Sequence, residues 1–290
     1  MISAFLTISG TFGKQNIDNK KMKRVVILGS TGMLGNAVGK YFLSKQNKYQ
    51  VFLSYRNETV SYGENKFKFD PLVDSLDKIP ACDYIINCIG IIKPHIEKNR
   101  HDAIILNSLF PWRLAAHAEK NNVRLIQITT DCVFSGSKGG YDENSEHDAL
   151  DFYGKSKSLG EPDNAIVLRT SIIGEELHNH ASLISWAQSM KDKDVNGFTN
   201  HLWNGITTNQ YAKICENIID NNLGTNGIYH VFSNPVTKYE LLDLISKKFN
   251  LGLKIKGHQA DVRVDRTLST VKDLNIKLAI PSVAEMLNEN

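Results

Sequence analysis

Short apolar runs alternate with stretches of helical apolar spacing from Met22 to about Arg169. The runs are rich in β-branched residues, which is typical of strands buried on both faces. They predict strands at Lys23–Leu28, Tyr49–Tyr55, Phe67–Phe69, Tyr84–Asn87, Val123–Thr129 and Ala165–Leu168. Helices are predicted at Met33–Leu43, Lys98–Lys120 and Asp151–Leu159. This alternation predicts an α/β protein with a doubly wound parallel sheet and right-handed crossovers.

The alternation breaks up after Arg169. Helical patterns cover Leu183–Met190, Asn209–Ile219 and Lys238–Phe249, and Ile228–Phe232 predicts one more strand. We expect these later elements to divide between a last strand of the sheet and a small separate lobe.

A glycine-rich turn joins the first predicted strand to the first predicted helix. Its sequence is Gly29-Ser30-Thr31-Gly32-Met33-Leu34-Gly35, and its glycine spacing differs from the Gly-x-Gly-x-x-Gly of simple dehydrogenases. Glycines there permit a tight turn, close approach of a phosphate and close helix–strand packing, and the helix N-terminus attracts a pyrophosphate. We expect a dinucleotide site formed by Gly29, Thr31, Gly32, Met33, Leu34 and Gly35.

This motif sets the predicted domains. Residues 22–170 form a Rossmann-type dinucleotide-binding domain, and residues 171–290 form mostly a substrate-binding lobe. A strand and helix at about 205–232 are expected to return to the first domain. Residues 1–21 lack a basic leader and become polar after Phe12, so we expect a flexible extension, with a signal peptide as the alternative.

Three polar side chains are predicted to converge where a strand ends and a helix begins. Thr130 follows a predicted strand, and Tyr153 and Lys157 lie four residues apart, on one helix face. A hydroxyl, a phenol and an ammonium suit proton transfer to or from a carbinol oxygen while a hydride moves. Tyr-x-x-x-Lys also occurs by chance on surface helices, so its significance depends on the dinucleotide motif upstream.

The composition excludes several other classes of protein. The 290 residues are 41% hydrophobic, which is enough for a large core, and the net charge of +3 comes with no dense basic tract for nucleic acid. The cysteines lack metal-ligand spacing and the histidines do not cluster, so no metal site is expected. No apolar stretch is long enough for a membrane span. The four cysteines agree with a reducing cytoplasm, where we expect buried, inert thiols.

Several motifs in order resemble those of one known group of enzymes. They are the glycine turn, Asn87-Cys88-Ile89-Gly90, Asn107, Thr129-Thr130-Asp131-Cys132-Val133-Phe134-Ser135-Gly136, Tyr153 to Lys157, and Leu168-Arg169-Thr170-Ser171. The chain resembles an extended short-chain dehydrogenase/reductase, and within that superfamily the dTDP-4-dehydrorhamnose reductase group of nucleotide-sugar ketoreductases. The resemblance covers nearly all of the chain from Met22 onward and is strongest up to Thr170.

The resemblance implies roles for the converging side chains. Tyr153 donates its proton to the ketone oxygen as hydride arrives from the nicotinamide, and Thr130 polarises that oxygen. Lys157 is expected to lower the pKa of Tyr153 and to contact the nicotinamide ribose. Asn107 is expected to help position this group, although a buried asparagine bonded to the backbone is an equal alternative.

The cofactor is inferred from the end of the second strand. Folds that prefer NAD usually carry an acid there, whereas this chain has Arg56, which favours the 2′-phosphate of NADPH. NADH and a solvated Arg56 are the alternatives. Asp70 resembles the acid that contacts adenine, or serves as a turn residue before Pro71. Cys88, Ile89 and Gly90 are assigned to the cofactor site by resemblance.

Two departures from the family pattern leave the nucleotide base open. Cys132 stands where relatives usually carry tyrosine, and Ile172 stands where they carry an aromatic residue. Trp203 is a candidate replacement stacking face, or a core residue. Arg263 and Arg266 are candidates for a diphosphate, or for surface ion pairs. Asp131 and Cys132 are assigned to the substrate.

The resulting expectation is NAD(P)H-dependent reduction of the 4-keto group of a nucleotide-linked deoxysugar, as in dTDP-rhamnose and polysaccharide precursor synthesis. The alternatives are an epimerase or dehydratase on the same fold, and a non-catalytic NADP-binding regulatory subunit. Dehydration usually needs two adjacent carboxylates, and here Asp131 is followed by Cys132. A nucleotide-sugar substrate and a homodimer are the expected partners.

Overall fold

The computed structural model describes residues 22–57, 61–176 and 182–289, so the predicted extension at residues 1–21 lies outside the described residues. The strands, in chain order, are β1 (Lys23–Leu28), β2 (Tyr49–Tyr55), β3 (Lys66–Lys68), β4 (Tyr84–Asn87), β5 (Arg124–Thr130), β6 (Ile166–Thr170), β7 (Ile172–Ile173), β8 (Asp194–Phe198), β9 (His201–Trp203), β10 (Ile206–Thr207), β11 (Gly227–His230), β12 (Val236–Thr237), β13 (Lys254–His258) and β14 (Val264–Asp265).

The helices follow the strands in the alternation that the sequence predicts. They are α1 (Met33–Leu43), α2 (Lys93–Ile96), α3 (Arg100–Ala103), α4 (Phe110–Lys120), α5 (Phe152–Ser158), α6 (Leu183–Ser189), α7 (Thr208–Asp220), α8 (Lys238–Lys248), α9 (Leu274–Leu278) and α10 (Val283–Asn288). A π-helical segment at Ile104–Leu109 joins α3 to α4. The single helix predicted at Lys98–Lys120 is therefore three consecutive segments that begin at Arg100.

Seven parallel strands of the described residues form the central sheet, in the order β11-β6-β5-β4-β1-β2-β3. The order reverses at β1, which lies between β2 and β4. Leu28 pairs with Asn87 and Thr130 pairs with Thr170, so the carboxyl ends of the central strands share one edge. The predicted doubly wound fold is confirmed, and its switch point is where such folds bind ligands.

Both faces of the sheet are buried, because side chains alternate along each strand. Val25 and Ile27 pack in one hydrophobic cluster with α1 and α7, while Val26 and Leu28 pack in another with α4. These four side chains of β1 are fully buried. This two-sided burial explains why β1 is an uninterrupted apolar run rather than an alternating pattern.

The C-terminal part of the chain contributes to two places. β11 adds to the sheet beside β6, and α7 packs against α1. The remaining short strands form three small sheets, β10-β7, β12-β9-β14 and β13-β8, and α8 packs against the last two. Trp203 of β9 and Leu183 of α6 lie at the carboxyl edge of the central sheet, where Thr130 and Thr170 end their strands.

Candidate active site

A cavity of about 660 Å³ opens at the carboxyl edge of the sheet. It brings together most of the site residues that the sequence predicts: Thr31, Gly32, Met33, Leu34, Arg56, Cys88, Ile89, Gly90, Asn107, Thr130, Asp131, Cys132, Tyr153, Lys157 and Trp203. A second cavity of about 420 Å³ shares Arg56 and Gly90 with the first and includes Gly29. The two cavities follow one path from the glycine turn to the C-terminal lobe.

The glycine turn has the geometry of a phosphate cradle. Gly29 has φ +79°, and its carbonyl accepts the Gly32 N–H at 3.0 Å. A Cβ on Gly35 would lie 2.1 Å from the Gly29 carbonyl oxygen, so α1 approaches the turn closely only because Gly35 has no side chain. Gly32 is the N-cap of α1 and has no side-chain cap, which leaves the N-terminal N–H groups open to an anion. These residues fit the pyrophosphate of a dinucleotide.

Thr130 is the last residue of β5, and its hydroxyl is held from two sides. Its Oγ1 donates to the Asp131 carboxylate at 3.2 Å and accepts the Cys132 N–H at 3.1 Å. Tyr153 lies close enough to Thr130 for the hydroxyl to act on the pKa of the phenol, lowering it against the larger effect of burial. Asp151 caps α5 through the Gly154 N–H at 2.8 Å, which sets the start of the helix that carries Tyr153.

Burial shifts the pKa values of Tyr153 and Lys157 in the directions that favour their neutral forms. It raises the pKa of Tyr153 and lowers the pKa of Lys157 to about 8. The Lys157 Nζ donates to the Ile128 carbonyl at 3.1 Å. Desolvation is the largest influence on the pKa of Tyr153, and the expected lowering of that pKa by Lys157 stays a prediction.

Asn107 is fully buried in the π-helical segment. Its Nδ2 donates to the Ile91 carbonyl at 2.9 Å and its Oδ1 accepts the Ile91 N–H at 2.8 Å. A further bond from Nδ2 to the Ser156 Oγ, at 3.2 Å, ties this group to α5. Asn107 therefore fixes the loop after β4 against the helix of Tyr153 and Lys157. Its amide is bonded to the backbone, which is the alternative role considered for it from the sequence.

Arg56 and Asp70 lie toward the other end of the path. Arg56 is exposed and lines both cavities. The Asp70 carboxylate accepts the Leu72 N–H at 3.0 Å, which is the turn role, while Phe69 and Pro71 line the second cavity. A contact of Asp70 with adenine stays a prediction.

The substrate residues proposed from the sequence separate into two groups. Asp131, Cys132 and Trp203 line the large cavity, and Trp203 is almost entirely buried. Arg263 is exposed and pairs with Asp265 at 2.7 Å, and the Arg266 Nε donates to the Phe134 carbonyl at 2.9 Å. Neither arginine lines the two cavities described here. A diphosphate contact for them stays a prediction.

Lys238 lines the cavity and was not singled out from the sequence. It is the first residue of α8, and no motif marks it, because its position follows from how the lobe packs on the sheet. The cavity also has Cys132 beside Thr130, and burial raises the pKa of that thiol to about 12. Cys132 is therefore a neutral thiol.

The described residues contain neither a helix able to cross a membrane nor a cluster of side chains able to hold a metal ion. None of the helices in residues 22–57, 61–176 and 182–289 combines the length and apolar character that crossing a bilayer requires. Nor does any group of three or more His, Cys, Asp or Glu side chains in these ranges have the arrangement of a metal site.

The chain is similar to curated proteins with two different descriptions. Methionine adenosyltransferase 2 subunit beta of Xenopus tropicalis is 30% identical over 252 residues, which cover 79% of this chain and 73% of that protein. The probable low-salt glycan biosynthesis reductase Agl14 of Haloferax volcanii is 26% identical over 226 residues, which cover 71% of this chain and 73% of that protein.

The fold is also that of solved structures. The dTDP-4-dehydrorhamnose reductase of Bacillus anthracis, in complex with NADP, superposes with a TM-score of 0.71 at 20% identity, and the match covers 91% of this chain and 97% of that chain. The family model described as the RmlD substrate binding domain matches residues 22–266. The site lies within this range, and the chain belongs to the RmlD substrate binding domain family.

Proposed function

We propose that this protein reduces the 4-keto group of a nucleotide-linked deoxysugar with NADPH, NADH being the alternative donor. The observation that carries the proposal is the convergence of Thr130, Tyr153 and Lys157 in a cavity that continues to the glycine turn. A hydroxyl, a phenol and an ammonium at this point are the groups that ketone reduction needs.

The bound nicotinamide would supply the hydride. Tyr153 donates its proton to the carbonyl oxygen, and its raised pKa keeps the phenol protonated at neutral pH, which is the donating form. Thr130, whose hydroxyl lies near Tyr153, polarises the carbonyl. Lys157 binds the ribose hydroxyls, and Asn107 keeps the loop at Ile91 in register with α5.

The names of relatives support this chemistry without fixing the substrate. A dTDP-4-dehydrorhamnose reductase with NADP shares the fold, and a curated relative is described as a glycan biosynthesis reductase. We therefore assign the protein to synthesis of glycan or surface polysaccharide precursors.

The direct test is incubation with NADPH and a dTDP- or UDP-linked 4-keto-6-deoxyhexose. We expect one NADPH oxidised per sugar, and a product heavier by two hydrogens in mass spectrometry. The parent nucleotide-glucose should consume no cofactor. Loss of water from that nucleotide-glucose, with the cofactor unchanged overall, would favour a dehydratase, although Cys132 stands where dehydratases carry a second carboxylate.

Replacement of the proton donor is the sharper test of the site. Tyr153→Phe removes the transferable proton but keeps the ring, so kcat should fall by about 100-fold or more while NADPH affinity stays unchanged. Tyr41→Phe is the matched control, because its hydroxyl bonds to Glu216 outside the cavity. Equal turnover by Tyr153→Phe and Tyr41→Phe would remove Tyr153 from the mechanism.

A non-catalytic NADP-binding subunit is the second candidate, and the observation that favours it is the 30% identical relative named as a subunit of methionine adenosyltransferase 2. This candidate predicts that the protein binds NADPH in calorimetry but reduces none of a panel of dTDP-, UDP- and GDP-linked 4-ketosugars. The retained Thr130, Tyr153 and Lys157 favour the enzyme.

A further inference from the structure

Lys238 enters the active-site cavity from the C-terminal lobe. It follows Thr237, the N-cap of α8, whose side chain accepts the Glu240 N–H at 3.1 Å. The Lys238 Nζ lies 5.3 Å from the centroid of the Trp203 ring, and Trp203 is 4% exposed. A buried indole thus holds the ammonium within the cavity that Thr130 and Tyr153 line.

Within residues 22–57, 61–176 and 182–289, the ammonium of Lys238 has no hydrogen-bond acceptor. Among the residues that the structure describes, no oxygen accepts a hydrogen bond from its Nζ and no carboxylate pairs with it. Lys272, by contrast, lies over the Tyr229 ring and donates to the Ile228 carbonyl at 2.6 Å. Burial lowers the pKa of Lys238, as expected for a cation that is poorly solvated and unbonded.

The charged side chains beside Asp131 leave the end of the cavity at Lys238 positive. Lys238 and Arg266 both act on the buried Asp131 carboxylate, which already accepts the Thr130 hydroxyl. Two cations therefore face one engaged carboxylate. Arg266 donates to the Phe134 carbonyl and does not line the cavity, so of these two cations Lys238 is the one that a ligand in the cavity would meet.

We propose that Lys238, held on the Trp203 ring, binds an oxyanion of the substrate and thereby selects nucleotide sugars that place a phosphate or carboxylate at this end of the cavity. The inference rests on the proposed function only in taking a nucleotide sugar as the ligand. The oxyanion comes from the diphosphate or from a carboxylate on the sugar, and both sources supply the acceptor that the ammonium lacks.

Calorimetry on the NADPH-loaded protein separates the two sources, with Lys238→Met and Lys238→Arg compared with wild type. Thymidine, dTDP, UDP-glucose and UDP-glucuronate are the probes. A diphosphate source predicts that Lys238→Met weakens dTDP binding by about 10-fold or more and leaves thymidine binding unchanged. A sugar-carboxylate source predicts unchanged dTDP binding and loss of a wild-type preference for UDP-glucuronate over UDP-glucose. Lys238→Arg should keep most of either affinity.

Lys40→Met is the matched control, because Lys40 lies 5.7 Å from the Tyr62 ring centroid and lines neither cavity. A merely structural role of Lys238 would lower the melting temperature and weaken all four probes equally, and that result overturns the inference. The inference is also overturned if the wild-type protein binds none of the four probes, or if it binds charged and uncharged probes equally well. A protein that binds dTDP through Lys238 and reduces no ketosugar supports this inference and contradicts only the reductase.

Discussion

At the scale of single residues, desolvation shifts the pKa values of the titratable side chains in the active site. Tyr153 and Lys157 have opposite charges when ionised, yet burial moves both toward neutrality. Asp131, beside them, also has its pKa raised by burial, against the attraction of Arg266 and Lys238. A site in which neutral forms are favoured is suited to moving one proton, because the phenol starts protonated.

Arg56 gives a prediction at this scale. It is exposed and lines both cavities beyond the second strand, so it is placed to meet the 2′-phosphate of NADPH. Arg56→Asp should weaken NADPH binding relative to NADH by about 1–3 kcal/mol, since a carboxylate repels the phosphate. Calorimetry with both cofactors measures the change.

Arg113→Asp, with the same charge change on the exposed side of α4, should leave the ratio of the two affinities unaltered. An unchanged ratio in Arg56→Asp as well would show that Arg56 faces only solvent and that NADPH preference has another origin.

At the scale of secondary-structure elements, two close contacts between elements hold the site together; we call them joints. One is the glycine turn between β1 and α1, where Gly35 packs against the Gly29 carbonyl. The other is the π-helical segment, where the Asn107 carbonyl lies where a Cβ on Gly160 would be, at 1.7 Å. A π segment has about one more residue per turn than an α-helix. In this segment Asn107 faces the interior of the protein, while Ile104 and Leu109 are exposed.

Gly35→Ala tests the first joint. Its Cβ would lie 2.1 Å from the Gly29 carbonyl oxygen, so the strand and helix must separate and the free energy of unfolding should fall by about 1–3 kcal/mol. NADPH binding should weaken too. Gly32→Ala is the control, because its Cβ would meet the same oxygen at 3.4 Å, an ordinary contact. Chemical denaturation should show Gly32→Ala close to wild type; equal losses in both variants would contradict this account of Gly35.

At the scale of the whole molecule, a buried ionic network joins the sheet to the rest of the chain. Arg169 on β6 is fully buried and pairs with Glu161 at 2.6 Å. It also donates to the Nε2 atoms of His230, at 2.6 Å, and His147, at 2.8 Å. A guanidinium only donates, so both imidazoles must be neutral to accept. The network connects β6, β11 and the loop before α5.

This network predicts a loss of stability in mild acid. Burial, together with Arg169, lowers the pKa of His147 and His230 from the ordinary 6.5, against Glu161 and Asp148 at His147 and Glu143 at His230. Their folded pKa values lie below their unfolded values, so the stabilisation is complete above about pH 6.5 and is lost as pH falls. The free energy of unfolding should decrease between about pH 7.5 and about pH 5.5, by at most about 1.4 kcal/mol per pH unit for each histidine.

Urea denaturation across this range checks the prediction. His147→Gln should flatten the dependence, since an amide oxygen can accept from Arg169 without titrating. His101→Gln, on a side chain that is 85% exposed, is the control and should keep the wild-type slope. A slope unaffected by His147→Gln would mean that its imidazole carries no linked proton.

The sequence alone determined the features that depend on residues close together in the chain. The strand, glycine turn and helix of residues 23–43 and the strand Tyr84–Asn87 occur as predicted, because apolar periodicity and turn glycines act locally. Tyr153 and Lys157 share a helix for the same reason. The carboxyl ends of strands moved where sheet pairing extends them, by one residue to Thr130 and by two residues to Thr170.

The tertiary structure decided which polar groups are desolvated and which cations remain unpaired. Packing of the C-terminal lobe places Lys238 over Trp203, which is 35 positions away in the sequence. Arg263, in contrast, forms an ion pair with Asp265. Arg169, which the sequence marked only as part of a motif, is the centre of a buried network with His147 and His230. Burial and pairing are sums over contacts between distant segments, and no local pattern contains them.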